Sequence, residues 1–418
     1  MPAPVRFGVT IVTGNFHPDF SGTGQLMTSL AVGLKALGCD VWVYTARPAY
    51  GAVGPSPSFE IQKGVEIRRL FATQLDKNVP MGRMLNAVTF FVSAFWVLLW
   101  RRRRGPLLIV SNPPFLGFLG YLLKMLRGQN YVYVVHDMFP NIAMKLGIIR
   151  PQSLLRKVWD RVNHAVVTQA SRIVVLGEAM REVMVAKGNG TPLVANRTRI
   201  IPNWADENLI RPLPKSENWF VREQGLEASF VVLYSGNMGL FHDLETLIEA
   251  ADRMRSRDVV FLFIGDGGKR PKLESLARER GLQNVRFLPF QPRERLPYSV
   301  TCADVSVVAL ERGIEGCSMP SKLYTIMASG RPIVALVERS FEVARIIETA
   351  DCGTCVDPSD VDGLLRVLNH YEADRNWRER QGGNGRAYFE AHFSRARALR
   401  EYLEVLKFAD VAPTPRVR

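Results

Sequence analysis

Three groups of residues in this chain have types and spacing suited to chemistry. The first is Met319-Pro320-Ser321-Lys322, which follows the loop 311–319 and leads into a small-residue stretch ending at Ser329-Gly330. Pro320 in a first helical turn loses no hydrogen bond, because its missing N–H would be unpaired there anyway. Gly330 suits a left-handed stop, and Pro332 bars continuation. The pattern predicts a short helix with free amides and an ammonium at its start, then a buried strand over 333–336. Such an end attracts an anion, so a phosphate or diphosphate is the expected ligand, with the carboxylate of Glu315 just ahead of it. The second group is His136-Asp137, at the end of the apolar run 130–135. The third is Gly22-Thr23-Gly24, inside a loop over 15–25 that can bring backbone amides close to a ligand. Each has a plainer reading: a helix cap with a solvated lysine, a structural histidine, a turn.

These groups need elements to hold them. An apolar strand over 5–13 precedes the glycine loop; a helix over 26–37 follows, with Leu26, Leu30, Leu34 and Leu37 on one face, and a strand over 41–45 comes next. This is a βαβ unit with its loop at the carboxyl end of the first strand. The dinucleotide fingerprint GxGxxG is absent, since position 27 is Met27, so no dinucleotide cofactor is expected. Further strands are predicted over 66–71, 107–110, 130–135, 172–176 and 200–204, with helices over 115–126, 154–170 and from Glu178. Residues 205–225, polar and holding Pro212 and Pro214, read as a linker. The alternation then restarts. Strands are predicted over 230–234, 259–264, 285–288, 305–309, 333–336 and 354–356, helices over 243–253, 272–280 and 361–370, and a helical tail from about 376. The architecture is two consecutive Rossmann-like α/β domains.

Composition bounds the rest. A chain of 418 residues is too long for one ordinary core, and 47% hydrophobic content excludes a disordered chain. The formal charge of +14 calls for an anionic partner. Scattered basic residues without a reading module point away from nucleic acid. Of five cysteines, only Cys352 and Cys355 are close, and one CxxC pair predicts buried thiols rather than a metal site. No metal is expected, and no signal sequence is read at the start, which fits a reducing cytoplasm. The apolar run 87–100 is shorter than the roughly 20 residues that cross a bilayer. Trp96 and Trp100 lie one helical turn apart, and Arg101, Arg102, Arg103 and Arg104 follow. The expectation is an interfacial helix on the cytoplasmic leaflet, touching lipid through Phe91, Phe95, Trp96, Trp100 and the four arginines. The alternative is a buried core helix with a solvated basic turn.

The motifs NFHPDFSGTGQ, VVHDMFP, VLGEAM, IPNWAD, LYSGNMG, FIGDG, VRFLPFQPRERLP and MPSKLYTIMASGRPIVA occur in this order over nearly the whole chain. In this the sequence resembles retaining glycosyltransferases of the GT-B fold, in glycosyltransferase family 4, and most of all their bacterial exopolysaccharide (colanic-acid-type) branch. The resemblance implies an α/β fold of two Rossmann-like domains with parallel sheets facing across a cleft. It implies an acceptor-binding domain over 1–204, with the last helix, about 386–418, packing back on it, and a donor-binding domain over 205–385. It also implies transfer of a sugar from a nucleotide-diphosphate sugar to a saccharide acceptor, lipid-linked in surface polysaccharide or glycolipid synthesis, without metal or cofactor, by a peripheral protein on the inner face of the cytoplasmic membrane.

By the same resemblance His136, Lys322 and Glu315 are the catalytic candidates. The donor would touch Gly22, Thr23, Gly24, Gly236, Asn237, His242, Gly265, Asp266, Phe290, Ser318, Met319, Pro320, Ser321, Tyr324 and Thr325. Three departures stand out. Asn237 and His242 occupy positions where many relatives carry Arg and Lys. Thr325 stands where many carry the glutamate that holds the ribose. The other glutamate of that pair aligns near Cys317, so Glu315 is an offset substitute. Two other readings are a nucleotide-sugar epimerase on the same fold and a catalytically weak sugar-nucleotide-binding partner of a membrane assembly.

Overall fold

The computed structural model describes residues 7–19, 21–48, 56–76, 79–101, 103–145, 147–255, 258–314, 316–317 and 319–411. The chain divides into two compact units. One comprises the chain through Pro202 together with Gly316–Met319 and the stretch from Ala398 onward; the other comprises Asn203–Glu315 and Pro320–Arg397.

The first unit runs β1 (Gly8–Thr13), α1 (Gly22–Ala36), β2 (Asp40–Thr45), β3 (Phe59–Gln62), β4 (Val65–Arg69), α2 (Pro80–Trp100), β5 (Leu107–Val110), α3 (Gly117–Arg127), β6 (Tyr131–Val134), α4 (Asn141–Lys145), α5 (Leu154–Gln169), β7 (Arg172–Val175), α6 (Glu178–Lys187), α7 (Pro192–Arg197) and β8 (Thr198–Ile200). Its sheet has the order β3-β4-β2-β1-β5-β6-β7-β8 and is parallel except for β3. β1, β5 and β6 are buried along their whole length. Their unbroken apolar runs are what a parallel sheet covered on both faces requires. The strand order reverses between β1 and β5, so the carboxyl ends of those two strands form the switch point where ligands bind in such sheets.

Several boundaries differ from the sequence reading. Helix α1 starts at Gly22, so Gly22, Thr23 and Gly24 form its first turn and not a loop. The cause is Ser21, whose hydroxyl accepts the Gly24 amide and caps the helix early. Strand β3 was missed. It pairs with β4 through Lys63-Gly64, both at positive φ (48° and 79°), the geometry that matches strand twist in two-residue hairpins. Helix α2 is 21 residues long, because Pro80 starts it a full two turns before residue 87. The last strand ends at Ile200, where it had been expected to begin.

The second unit contains α8 (Trp219–Glu223), β9 (Phe230–Ser235), α9 (Glu245–Arg253), β10 (Val259–Ile264), α10 (Arg270–Glu279), β11 (Val285–Leu288), α11 (Leu296–Thr301), β12 (Val305–Ala309), α12 (Lys322–Ser329), β13 (Ile333–Leu336), α13 (Glu342–Ala350), β14 (Gly353–Val356), α14 (Val361–Ala373) and α15 (Arg375–His392). Its six strands are all parallel, in the order β11-β10-β9-β12-β13-β14, the doubly wound order with its switch point between β9 and β12. The supposed linker 205–225 is part of this unit. Phe220 and Val221 of α8 are fully buried, and the Asn218 side chain donates to Tyr298 O (2.8 Å) and Thr301 Oγ1 (3.1 Å). The tail is two helices, α15 and α16 (Arg395–Val411). From Ala398 onward α16 belongs to the first unit, where Leu399 fills the space over Gly33 and the Arg172 guanidinium lies 3.4 Å from the Phe408 ring centroid.

Candidate functional site

The second unit gathers its chemistry at the carboxyl ends of β9, β10 and β12. Helix α12 begins at Lys322, with Ser321 as its cap residue and Pro320 one residue before the cap, not in the first turn. Ser321 makes no capping bond of its own, and first-turn amides have no intrahelical acceptor. Gly330 closes the helix at φ 66°, as its position in the sequence implied. The Lys322 ammonium is buried without a hydrogen-bond partner, and it lies 3.5 Å from the Tyr234 ring centroid. Burial depresses its pKa well below the usual lysine range. A ring face alone is weak compensation for a desolvated cation, so this group is poised to gain from an arriving anion.

The surrounding loops are fixed by glycine. Gly236 (φ 136°), Gly265 (φ 138°) and Gly267 (φ 151°) adopt backbone that side chains rarely take. A Cβ on Gly265 would stand 2.0 Å from Gly236 O, and one on Gly267 would stand 2.6 Å from the Met238 backbone. Ladder-like bonds from Gly236 N–H to Ile264 O (2.8 Å) and Met238 N–H to Asp266 O (2.8 Å) knit the two loops together. The Tyr234 hydroxyl donates to Asn237 O at 2.7 Å, which aims the ring under Lys322. His242 is kept neutral by burial and by the nearby Lys322 charge, and its Nδ1 accepts the Gly239 amide (3.2 Å). Asp266 is exposed, and its Oδ1 accepts the Gly267 amide; the half-buried Phe290 ring packs against Gly265.

Two contributors in this unit were not found from sequence. Tyr234 lies within a strand that reads only as apolar. Lys269 pairs with Glu245 (2.8 Å) and Glu311 (2.7 Å) and donates to His242 O (2.8 Å), so it braces the loop after β9. Its one sequence signal was its place just after the Gly265-Asp266-Gly267-Gly268 loop. Two assigned residues turn inward or aside. Tyr324 is fully buried, edge-on to Phe393 at 4.9 Å, because the third position of α12 faces the core; Thr325, on the next position, is half-buried. Glu315 and Ser318 lie outside the described residues.

The first unit brings His136 to the end of β6, beside the switch point. Ser111, at the end of β5, accepts the backbone N–H of His136 (3.0 Å) and of Asp137 (3.2 Å) through its hydroxyl. Thr23, in the first turn of α1, places its hydroxyl 3.4 Å from His136 Nδ1, while Nε2 is buried without a partner. Burial pushes the His136 pKa down to about 4, so the ring is neutral at pH 7. Gly24 N–H is already bonded to Ser21; the amides of Gly22 and Thr23 are the ones a helix start leaves for a ligand. Met319 is buried and groups with this unit.

Helix α2 packs one stripe inward, with Phe90, Ala94 and Leu98 buried, and turns Met81, Met84, Leu85, Val88, Val92, Trp96 and Trp100 outward. It is long and apolar enough to cross a membrane by length and composition, which corrects the shorter segment read from sequence. Trp96 is 55% and Trp100 77% exposed, and Phe95 stacks edge-on against Trp96, as an interfacial face would need. Phe91 instead leans on Phe115 and Phe118. Arg101 and Arg104 are exposed, but Arg103 is held over the Trp42 ring and against Glu66, so it is a structural cation; Arg102 lies outside the described residues. Cys352 and Cys355 are free thiols, pushed up to about 12 by burial. Among the described residues no cluster of three or more His, Cys, Asp or Glu has a metal-holding arrangement.

Two doubly wound units, each with convergent groups at or beside its switch point, define a two-domain α/β class, and the second unit adds an anion-seeking cation. Comparison with known proteins makes this specific. Residues 21–204 match the glycosyl transferase 4-like domain, and residues 216–388 match glycosyl transferases group 1. The chain belongs to this family of GT-B glycosyltransferases. It is 29% identical over 367 residues to the putative colanic acid biosynthesis glycosyl transferase WcaI of Escherichia coli K12, covering 84% of this chain and 88% of that one. It is 28% identical to the probable glycosyltransferase WbjE of Pseudomonas aeruginosa, over 74% of each chain. In fold it is similar to sucrose-phosphate synthase of Thermosynechococcus elongatus (TM-score 0.77, 19% identity, 96% and 98% covered). It is also similar to Anabaena Alr3699/HepE, solved in complex with UDP-glucose (TM-score 0.72, 16% identity, 96% and 100% covered).

Proposed function

We propose that this glycosyltransferase moves a sugar from a nucleotide-diphosphate sugar to a lipid-linked saccharide acceptor, with retention and without a metal ion, in bacterial surface polysaccharide or glycolipid synthesis. The observation that carries the reading is the buried, unpaired Lys322 ammonium at the start of α12. As the bond between the anomeric carbon and the diphosphate oxygen breaks, negative charge collects on the departing diphosphate. Lys322 and the first-turn amides of α12 are preorganised to receive it, a role usually worth several kcal/mol. The departing phosphate oxygen then accepts the proton of the acceptor hydroxyl, whose oxygen bonds to the anomeric carbon on the same face. No side-chain base is required, which suits a His136 held neutral. We assign donor binding to the second unit, including Gly236, Asn237, His242 and Gly265, and acceptor binding to the first.

The relative named for colanic acid biosynthesis supports the pathway class, and the outward face of α2 supports a peripheral place on the inner face of the cytoplasmic membrane. The test is a thermal-shift screen of nucleotide sugars, followed by transfer assays with lipid-linked acceptors. Binding by the wild type and loss of transfer in Lys322→Ala are expected. Full activity in Lys322→Ala sinks the assignment, and isomerisation of donor without acceptor moves the protein to the epimerase reading.

A further inference from the structure

Five aromatic side chains form a continuous file across the first unit. Phe118 of α3 stacks on Phe91 of α2 (6.3 Å between centroids, 11°), Phe91 meets Phe115 edge-on (6.0 Å), Phe115 meets Trp159 of α5 edge-on (6.4 Å), and Trp159 stacks on Phe139 (6.2 Å, 19°). These distances are those of favourable aromatic pairs. The file therefore runs from α3 through the membrane-length helix and ends three residues beyond His136. Core packing would bury such rings, yet every one of the five is half-buried. The helix surface near Trp159 is apolar as well: Leu155, one turn before it, is 52% exposed, and Val158, one turn after Leu155, is 47% exposed. A sugar platform would instead set hydrogen-bonding side chains at the ring edges. Charge adds the second half of the pattern. Residues 141–159 contain four cations, Lys145, Arg150, Arg156 and Lys157, of which Arg156 is paired with Asp160 at 3.2 Å. Lys145, Arg150 and Lys157 are exposed.

We propose that this file seats the apolar chain of a phosphate-bearing lipid, with its phosphate over Arg150 and Lys157 and whatever it carries directed toward His136. Calling that lipid the acceptor rests on the glycosyl-transfer reading above; the site itself does not. An amphiphile with an anionic link fits because both halves of its chemistry are matched along one segment, an apolar strip continuous with α2 and the exposed cations Arg150 and Lys157.

The experiment uses the full chain in vesicle-free buffer with a benzophenone-tagged farnesyl phosphate, and benzophenone-tagged farnesol as the uncharged control. Cross-links are expected on the peptides holding Phe115, Phe118 and Trp159. Trp159→Ser should lower labelling at least fivefold while Trp159→Phe stays within twofold of wild type. Arg150→Glu with Lys157→Glu should lower labelling by the phosphate and leave that by farnesol unchanged. UDP-glucose binding in each variant checks that the fold is intact. Labels confined to the outer face of α2 would mean bilayer docking only and overturn the proposal, as would labelling indifferent to Trp159→Ser or to the phosphate. Capture at the file without any sugar transfer would remove the transferase reading and keep the lipid site. Transfer to a lipid-free acceptor without capture would do the reverse.

Discussion

The two units share one architecture and differ in what they leave unsatisfied. Among the described residues of the second unit, Leu240 is the one large hydrophobic side chain left exposed, whereas α2 of the first unit exposes seven. The second unit's unmet need is electrical: a desolvated ammonium with a ring face for company. The first unit's unmet need is apolar surface, together with a histidine kept neutral by burial. The same alternation of strand and helix thus builds one unit with a desolvated cation and one with a run of exposed apolar side chains on α2. Lys322 sits at the switch point of the second unit and His136 beside that of the first, and the largest run of exposed apolar side chains lies on α2.

The contrast can be broken most forcefully at Gly265. Gly265→Ala puts a Cβ against Gly236 O in a backbone region disfavoured for side chains. The expected loss is about 4 kcal/mol of stability in the second unit, seen by urea denaturation, with nucleotide binding lost alongside. Lys322→Ala should leave the fold intact and lower kcat/KM for transfer by at least 100-fold, about 3 kcal/mol, because it removes the charge from the diphosphate site. Lys322→Arg should recover only part of this, since a fork is the wrong shape for a point contact over the Tyr234 ring.

The first unit's histidine gives a pH signature. His136 is neutral when folded, with a pKa near 4 against an ordinary value of 6.5, so protonation favours the unfolded chain. Its contribution is fully present above pH 6.5 and declines as pH falls toward 4. The expected loss is about 2 kcal/mol at pH 5 relative to neutral pH. His136→Gln should flatten that part of the stability–pH profile; an unchanged profile would mean that His136 is not the responsible group. The smallest effect belongs to α2. Trp96→Ser with Trp100→Ser should weaken binding to anionic vesicles roughly tenfold and leave nucleotide binding untouched. Equal vesicle binding by the double variant would remove α2 from the membrane reading.

Much of this was legible in the residues themselves. The alternating apolar runs placed nearly all the parallel strands, and β10, β11, β12 and β13 match their expected bounds. Gly330 marked a helix end that needs positive φ. Other features were not legible because their causes are not local. The start of α1 depends on a Ser21 side chain reaching Gly24, and the hairpin of β3 depends on Lys63 accepting positive φ, which its type does not advertise. Residues 205–225 looked polar because their few buried members, Ala205, Ile210, Asn218, Phe220 and Val221, are scattered among solvated ones.

The sequence by itself determined two rounds of doubly wound structure, the glycine loops after the strands, and an anion-type motif at Pro320-Ser321-Lys322. Those are consequences of backbone geometry and of hydrophobic period, which act over a few residues. Only the tertiary structure decided that the Lys322 ammonium is buried beneath no acid but above the ring of Tyr234, and that Tyr324 serves the core. Only the tertiary structure joined Phe91, Phe115, Trp159 and Phe139 into one file. Burial and pairing depend on which distant strands and helices become neighbours, and that is set by the order of strands in the sheet, not by any stretch of the chain alone.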